Sequence, residues 1–392
     1  MTNAHRVVVL GAGYTGMLCA IRLAHRTRRD SVRITVVNPS VWFTERLRLH
    51  QIAAGQELPG HRVPDLLAGT GVAFRQGRAT AIHPDRHTVE IDHADVLGYD
   101  TLVYALGATT DTAAVPGADR HAHTLDSTGA AMVFAARLDE MEADGGAVTV
   151  CGGGPTGVEA AAEVAECHPG LRVTLVTNGL PGADLGAKAR AHLDAALDRL
   201  GVTVRTGSPV ATVRPDAVEL LGGEVVASDA CLWTAGVVAA PLAADSGIAV
   251  DDRGRLVVDS TLRSVSHPDV HAVGDAAAVR QPWGQLHGTC QSGMPTAAHT
   301  ADEIARALRG EEPEPFRFGY FHQSLSLGRR DAVTQFTQAD GTPRRACFTG
   351  RAAAVYKDTV VGSPLWVYRL SRRMNVSVTL SKGGRAARTA VV

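Results

Sequence analysis

Apolar residues in this chain come as short runs cut off by glycine, and two of those runs share one layout. Val7 to Leu10 leads into Gly11-x-Gly13-x-x-Gly16 and then a helix-like segment from Met17 to Arg26. Val148 to Cys151 leads into Gly152-x-Gly154-x-x-Gly157, followed by Pro155-Thr-Gly-Val-Glu159 and an alanine-rich amphipathic stretch. A β-type run, a glycine turn and a helix-period segment make the opening of a nucleotide-binding βαβ unit. Further strand-like runs follow each turn: Arg33 to Val37, short pieces from Val72 to Glu90, and Tyr99 to Gly107 after the first; Arg172 to Val176 and Ala230 to Val237 after the second. Val270 to Val279 reads as a strand, with Gly274-Asp275 opening a helix. Past the acidic, proline-containing stretch Glu311 to Pro315, Ala332 to Thr337 and Ala352 to Lys357 both read as strands.

The pattern predicts an α/β protein with two Rossmann-like dinucleotide-binding domains and a small C-terminal α+β domain. Pro116-Gly117 marks one boundary. The expected division is 1–117 and 238–310 for a flavin unit in two parts, 118–237 for a nicotinamide unit, and 311–392 for the last module. In each turn the glycines permit a tight bend, close approach of backbone N–H groups to a pyrophosphate, and packing of helix on strand. Two such turns point to two dinucleotides facing each other, a flavin and a nicotinamide.

The acidic residue that usually ends the second strand of such a unit is missing twice: Asn38 stands in the first and Thr177-Asn178 in the second. An amide still accepts from one ribose hydroxyl. At the second unit a 2′-phosphate is no longer repelled, so NADPH is as admissible as NADH, with Lys188 and Arg190 in reach of such a phosphate. Asp275 suits the polyol hydroxyls of a flavin side chain; a solvent-facing helix cap is its plainer alternative. The stretch Phe43 to Gln51 is unusually charged. Either Glu45, Arg46 and Arg48 line a solvated helix face, or Arg46, Arg48 and His50 approach the flavin.

Composition narrows the picture. The chain has 392 residues and a formal net charge of -1, which gives no reason to expect a nucleic-acid partner. Its basic residues are nearly all arginine, Lys188, Lys357 and Lys382 being the lysines, a bias of GC-rich bacterial coding. No apolar run approaches the ~20 residues that span a bilayer, and no signal peptide pattern is present, so a cytoplasmic location is expected. The six cysteines form no C-x-x-C pair and no zinc-like spacing, which argues against a dithiol reductase. After Ser363 the chain carries Arg369, Arg372, Arg373, Lys382, Arg385 and Arg388 and no acid, interleaved with Leu365, Trp366, Val367, Tyr368 and Leu370. Such a segment lies on an anionic membrane face, on its own protein, or on the partner in a homodimer.

In family order, Gly11-x-Gly13-x-x-Gly16, Tyr104-Ala-Leu-Gly107, Gly152-Gly-Gly-Pro-Thr-Gly-Val-Glu159, Trp233-Thr-Ala-Gly-Val237, Val273-Gly-Asp275 and Leu327-Gly-Arg-Arg330 resemble the type II NADH dehydrogenase and apoptosis-inducing-factor-like branch of the two-dinucleotide flavoproteins. The resemblance implies that Gly11, Gly13, Gly16, Asn38 and Asp275 hold FAD, joined by Arg46, Ala79 and Gly107. It places Gly152, Gly154, Pro155, Thr156, Gly157, Thr177 and Gly236 with the nicotinamide nucleotide and Glu159 near the nicotinamide ring. Thr289-Cys290-Gln291 would meet the edge of the isoalloxazine, where backbone N–H groups stabilise charge. Glu159, His50 and Gln291 are the candidates for proton supply and orientation, a histidine titrating in the useful range. Two departures fall on the acceptor side: Pro295-Thr296 replaces a glutamine-containing pattern, and Glu45 to His50 replaces an apolar stretch.

The function expected is transfer of a hydride from NAD(P)H to flavin and of two electrons onward to a quinone-like or other small aromatic acceptor. The alternatives are a flavoenzyme acting on a biosynthetic intermediate, and a non-catalytic redox sensor that binds both nucleotides. A sulfide:quinone oxidoreductase would need cysteines at the flavin, for which Cys151, Cys290 and Cys347 are the conceivable ones.

Overall fold

The computed structural model describes residues 4–28 and 30–384. Two five-stranded parallel sheets share the order of their three central-to-edge strands and differ at the other edge, where the first sheet ends in its last strand in sequence and the second in its first. In the first, Val270–Ala272, Thr101–Tyr104, His5–Leu10, Val32–Asn38 and Ala73–Gln76 lie side by side. In the second, the sequence across the sheet is Ala122–His123, Ala230–Trp233, Ala147–Cys151, Arg172–Val176 and Thr203–Arg205. Each glycine turn therefore leaves the central strand of its sheet, where connections depart in opposite directions and a crevice opens at the strand ends. The strands His5–Leu10 and Ala147–Cys151 are buried along most of their length, which is why they read as continuous apolar runs.

The chain leaves the first sheet through Ala108–Thr110 and returns through Val237–Ala239, and these two segments pair antiparallel. Leu49 and Ala53, from a short helix following the first unit's second strand, sit in the core of the second unit beside Leu325, Leu327 and Val333. That shared core fixes the two crevices relative to each other.

Two sequence expectations need correction. Ala352–Lys357 is not a strand: it opens the helix Arg351–Ser371, whose buried residues Ala353, Val361, Pro364, Tyr368 and Ser371 recur at helical spacing. The alanine run favours helix, and the three-stranded antiparallel sheet His322–Ser326, Ala332–Thr337 and Pro343–Thr349 is complete without it. Gly274-Asp275 does not open an α-helix either. It forms a single 3-10 turn, Gly274–Ala276, and the chain then extends, so no helix dipole acts at Asp275 from its own segment. The stretch after Glu311 also packs more closely than a linker would: Phe316, Phe318 and Tyr320 are buried in the core of the first unit.

Candidate functional site

The two glycine turns divide labour in the same way. A Cβ on Gly16 would overlap the Gly11 carbonyl oxygen, and one on Gly157 the Gly152 carbonyl oxygen, so these positions exist for helix-on-strand packing. The middle glycines, Gly13 and Gly154, differ: a Cβ there would meet nothing within 4 Å. Both are helix N-caps, of Tyr14–Arg26 and Pro155–Cys167, with no side-chain cap and no acid in the first turn. Each leaves a cradle of open N–H groups and positive dipole that a pyrophosphate fits. Gly107, with φ of 69° and open space before it, continues the first cradle.

Asp275 lines a small cavity with Gly274, Gly288, Gly293 and Thr296, and Gly274 and Gly293 abut Thr15 in the first turn of the helix after the first cradle. Among the described residues no donor reaches its carboxylate, and burial raises its pKa while the Arg46 charge opposes the rise. Polyol hydroxyls would supply the missing donors, so the solvent-facing cap alternative does not apply. Asn38 does something other than wait for a ribose. Its amide oxygen accepts from the Ala12 N–H at 3.0 Å and its nitrogen donates to the Ser40 carbonyl at 2.8 Å, which ties the glycine turn to the second strand. Arg46 donates to the Ala108 carbonyl at 2.7 Å at the crossover between units. Ala79 is half-buried at the start of a strand paired with Ile91.

On the nicotinamide side, the Thr234 hydroxyl donates to the Cys151 carbonyl at 3.0 Å and locks the Trp233–Gly236 loop against the end of the central strand. Gly236 takes a φ of 74° beside Asp111. Thr177 is buried, and its hydroxyl accepts from the Gly179 N–H at 3.2 Å, so no carboxylate faces that end of the crevice from this position.

The helix Pro155–Cys167 carries Glu159 into the space between the two units. Glu159 is 8 % exposed. Its Oε1 accepts from the Lys357 ammonium at 2.8 Å and from the Ser326 N–H at 3.0 Å. Burial alone would push this carboxyl up, yet Lys357, His50 and the Ser326 N–H together hold it below the ordinary range. Lys357 also donates to the Ser324 carbonyl at 2.9 Å. Lys357 and Ser326 went unmarked in the sequence because both come from the last segment; the rarity of lysine was the available signal.

His50 is buried beside this pair, its Nε2 3.4 Å from the Ser326 hydroxyl. Burial, opposed by Glu159 and reinforced by Lys357, Arg329 and Arg48, lowers its pKa to about 4. The expectation that it titrates in the useful range is thereby corrected: it is a neutral imidazole at neutral pH. Gln291 is corrected as well. Its amide donates to the His322 carbonyl at 2.9 Å and accepts from the Phe321 N–H at 3.1 Å, so it fastens the helix Cys290–Ala307 to the last sheet. The start of that helix is capped by Thr289 and Ser292, and among the described residues the N–H groups of Cys290 and Gln291 have no acceptor. Burial pushes the Cys290 thiol up to about 12, which makes it a poor nucleophile.

In the Phe43–Gln51 stretch, neither expectation holds whole. Glu45 is buried and Arg48 mostly so, while Arg46 stays exposed. Cys151 and Cys231 approach to 3.8 Å within the second sheet's core, not at the flavin crevice.

Residues 5–304 match the family model described as pyridine nucleotide-disulphide oxidoreductase. An NADH dehydrogenase-like protein of Mycobacterium tuberculosis is 30 % identical over 378 residues, covering 91 % of this chain and 92 % of that one. A type II NADH:quinone oxidoreductase of Staphylococcus epidermidis is 28 % identical over 390 residues, covering 90 % and 95 %. Among solved structures, NDH2 of Plasmodium falciparum in complex with NADH superposes with a TM-score of 0.79 at 15 % identity, covering 96 % of this chain and all of the other.

Proposed function

The chain belongs to the pyridine nucleotide-disulphide oxidoreductase family, and from that premise we propose that it oxidises NAD(P)H through bound FAD and reduces a quinone-type acceptor. The observation that carries this reading is the pair of open glycine cradles on matching sheets with the buried Glu159–Lys357 pair between them. Gly11, Gly13, Gly16, Gly107 and Asp275 would hold FAD, which supplies hydride acceptance and two-electron release when bound. Residues 1–117 and 238–310 form the flavin domain in this reading, 118–237 the nicotinamide domain, and 311–392 an α+β module closing the acceptor side.

The first-turn N–H groups after Gly154 would fix the nicotinamide pyrophosphate, and Gly236 leaves room for the nucleotide. Thr177 in place of an acid lets the 2′-phosphate of NADPH enter as readily as the hydroxyl of NADH. The N–H groups of Cys290 and Gln291, at the positive end of a helix, face developing negative charge. Glu159 stays ionised and holds the Lys357 ammonium in place between the two units. Neutral His50 keeps the surroundings dry and orders Ser326.

The exposed side of Arg351–Ser371 carries Val355, Trp366 and Arg369, with Met374 just beyond. Among the described residues no helix is long and apolar enough to cross a membrane. This face is proposed to rest on an anionic bilayer as a peripheral contact; Arg385 and Arg388 lie outside the described residues. A homodimer is the competing use of the face, and vesicle flotation against sedimentation distinguishes the two.

The main test is an anaerobic titration of flavin-loaded protein with NADPH and separately NADH, followed by a soluble quinone. Bleaching of the visible flavin absorbance and its return on quinone addition are expected. Nucleotide binding without bleaching would turn the reading over in favour of a redox sensor.

A further inference from the structure

The charged stretch on the acceptor side holds a guanidinium that makes no hydrogen bond to the described residues. Arg48 ends the 3-10 turn Arg46–Arg48, and its side chain is 23 % exposed. Its nearest charge is Glu45, at 3.7 Å from Nε, a carboxylate that His61 shares at 3.7 Å. Among the described residues no acceptor lies within hydrogen-bond reach of the Arg48 fork, and its Nε is buried and unpaired. One buried N–H donor of a side chain that is 23 % exposed is left without a hydrogen bond, a cost that a ligand's oxygen would relieve.

The surroundings show where such a ligand would lie. Tyr14, first residue of the helix above the flavin cradle, is close enough to Arg48, Glu45 and Cys290 to feel their charge, and its buried hydroxyl lies at the Leu47 backbone with no side-chain partner among the described residues. On the other side a Cβ on Gly362 would come 3.6 Å from an Arg48 terminal nitrogen. Gly362 belongs to a weak point in the helix Arg351–Ser371. Pro364 cannot donate to the Val360 carbonyl, and the Ser363 hydroxyl does so instead at 2.7 Å. Arg48 and the Tyr14 hydroxyl thus meet between the flavin-side helices and a glycine-proline break in the helix that covers them, with Lys357 a little more than one turn before Gly362.

We propose that Arg48 and Tyr14 receive the acid group of an aromatic acceptor, so that the oxidant is a quinone bearing an anionic oxyacid substituent rather than a neutral, long-chain quinone. This rests on the quinone-type reading above. NAD(P)H gives the hydride and water gives one proton; the quinone becomes its hydroquinone with the acid group unchanged. An arginine suits this task because its planar fork binds an oxyacid with two parallel hydrogen bonds. Glu45 keeps the guanidinium placed without occupying it.

The test uses the holoenzyme, saturating nucleotide, and two probes: 1,4-naphthoquinone-2-sulfonate and neutral 2-methyl-1,4-naphthoquinone. The ratio of their kcat/KM values is compared between wild type, Arg48→Gln and Arg48→Lys, which cancels the difference in their potentials. In Arg48→Gln the ratio should fall about 10- to 100-fold, mainly through KM for the sulfonate, with Arg48→Lys in between. A ratio unmoved within about twofold overturns the proposal, given that a charged hydrogen bond is worth more. Loss of bound flavin in Arg48→Gln also overturns it, by assigning the guanidinium to the cofactor. Should wild type reduce neither quinone although NAD(P)H bleaches its flavin, the quinone reading fails. Binding of the two probes is then read from the flavin spectrum: weaker sulfonate binding in Arg48→Gln sustains the anion site, and equal binding removes it.

Discussion

Replacing Lys357 by methionine removes the ammonium from Glu159 and leaves a carboxylate at 8 % exposure with the Ser326 N–H as its remaining hydrogen bond. Breaking a buried pair from one side costs about 3–5 kcal/mol if the remaining charge persists. Glu159 has a way to reduce that cost, which is to take a proton. Burial already pushes it upward, and without Lys357 that push prevails, so its pKa moves from below the ordinary 4.5 to above it.

The sign with pH follows. In the wild type the depressed Glu159 contributes stability that is present above pH 4.5 and lost as pH falls through its folded pKa. In Lys357→Met the raised carboxyl contributes below pH 4.5 and loses that contribution as pH climbs through its new value. The stability gap between the two proteins should therefore widen from pH 5 to pH 8. Urea unfolding of Lys357→Met, Glu159→Gln and the double variant, with flavin bound, measures it. The double variant should recover about 2–3 kcal/mol relative to the sum of the single losses. Additive losses, or a gap that is the same at pH 5 and pH 8, would refute the reasoning and reduce the pair to an incidental contact.

Four further outcomes follow from the same geometry. Asp275→Ala should weaken FAD about 10- to 100-fold by removing a charged hydrogen-bond acceptor, read by flavin retention on ultrafiltration; full retention would assign the polyol elsewhere. Gly154→Ala should keep its thermal midpoint but raise KM for NAD(P)H about tenfold, because its methyl meets cofactor space and no protein atom; a large fall in midpoint would contradict the open cradle. Thr177→Glu should lower the NADPH to NADH preference at least about tenfold in kcat/KM, by repelling the 2′-phosphate; no change would move that subsite away from Thr177. Burial raises Glu163 to about 7 against Gln56 and Arg329, which oppose it. That carboxyl therefore favours the fold below pH 4.5 and loses the contribution as pH rises through about 7, and Glu163→Gln should be relatively more stable at pH 8.5 than at pH 5.5, by up to about 2 kcal/mol in urea unfolding.

The two nucleotide units were legible because their signals are local. A strand that is buried on both faces must be apolar throughout, and a turn that admits a pyrophosphate must be glycine, so Val7–Gly16 and Val148–Gly157 announce themselves within ten or so residues. Asp275 was legible for a related reason, since it follows directly on a buried strand, although the expected helix after it proved to be one 3-10 turn. Asn38 shows the limit of such inference. Its position was right, but its amide is bonded to Ala12 and Ser40, a use that a sequence pattern does not distinguish from ribose binding.

The acceptor side was not legible, because its chemistry is set by pairings between distant segments. His50 looked like a proton carrier as an isolated residue; packed under Ser326 and next to Lys357 it is held neutral. Gln291 looked like a candidate for proton supply and orientation and is a fastener between helix and sheet. Lys357 was hidden by a strand assignment to Ala352–Lys357 that its own alanine run should have cast as helix. What these cases share is that burial decides which groups still have something to offer. Glu159, His50 and Gln291 already have hydrogen-bond partners within the protein, whereas among the described residues the buried Arg48 Nε has none and the Tyr14 hydroxyl has no side-chain partner. Arg48 belongs to the charged stretch Glu45 to His50 and lies against the helix break at Gly362, while Tyr14 comes from the first glycine turn. In the proposed reading, selectivity for the oxidant would rest on the charged stretch Glu45 to His50, and hydride delivery on the two glycine cradles.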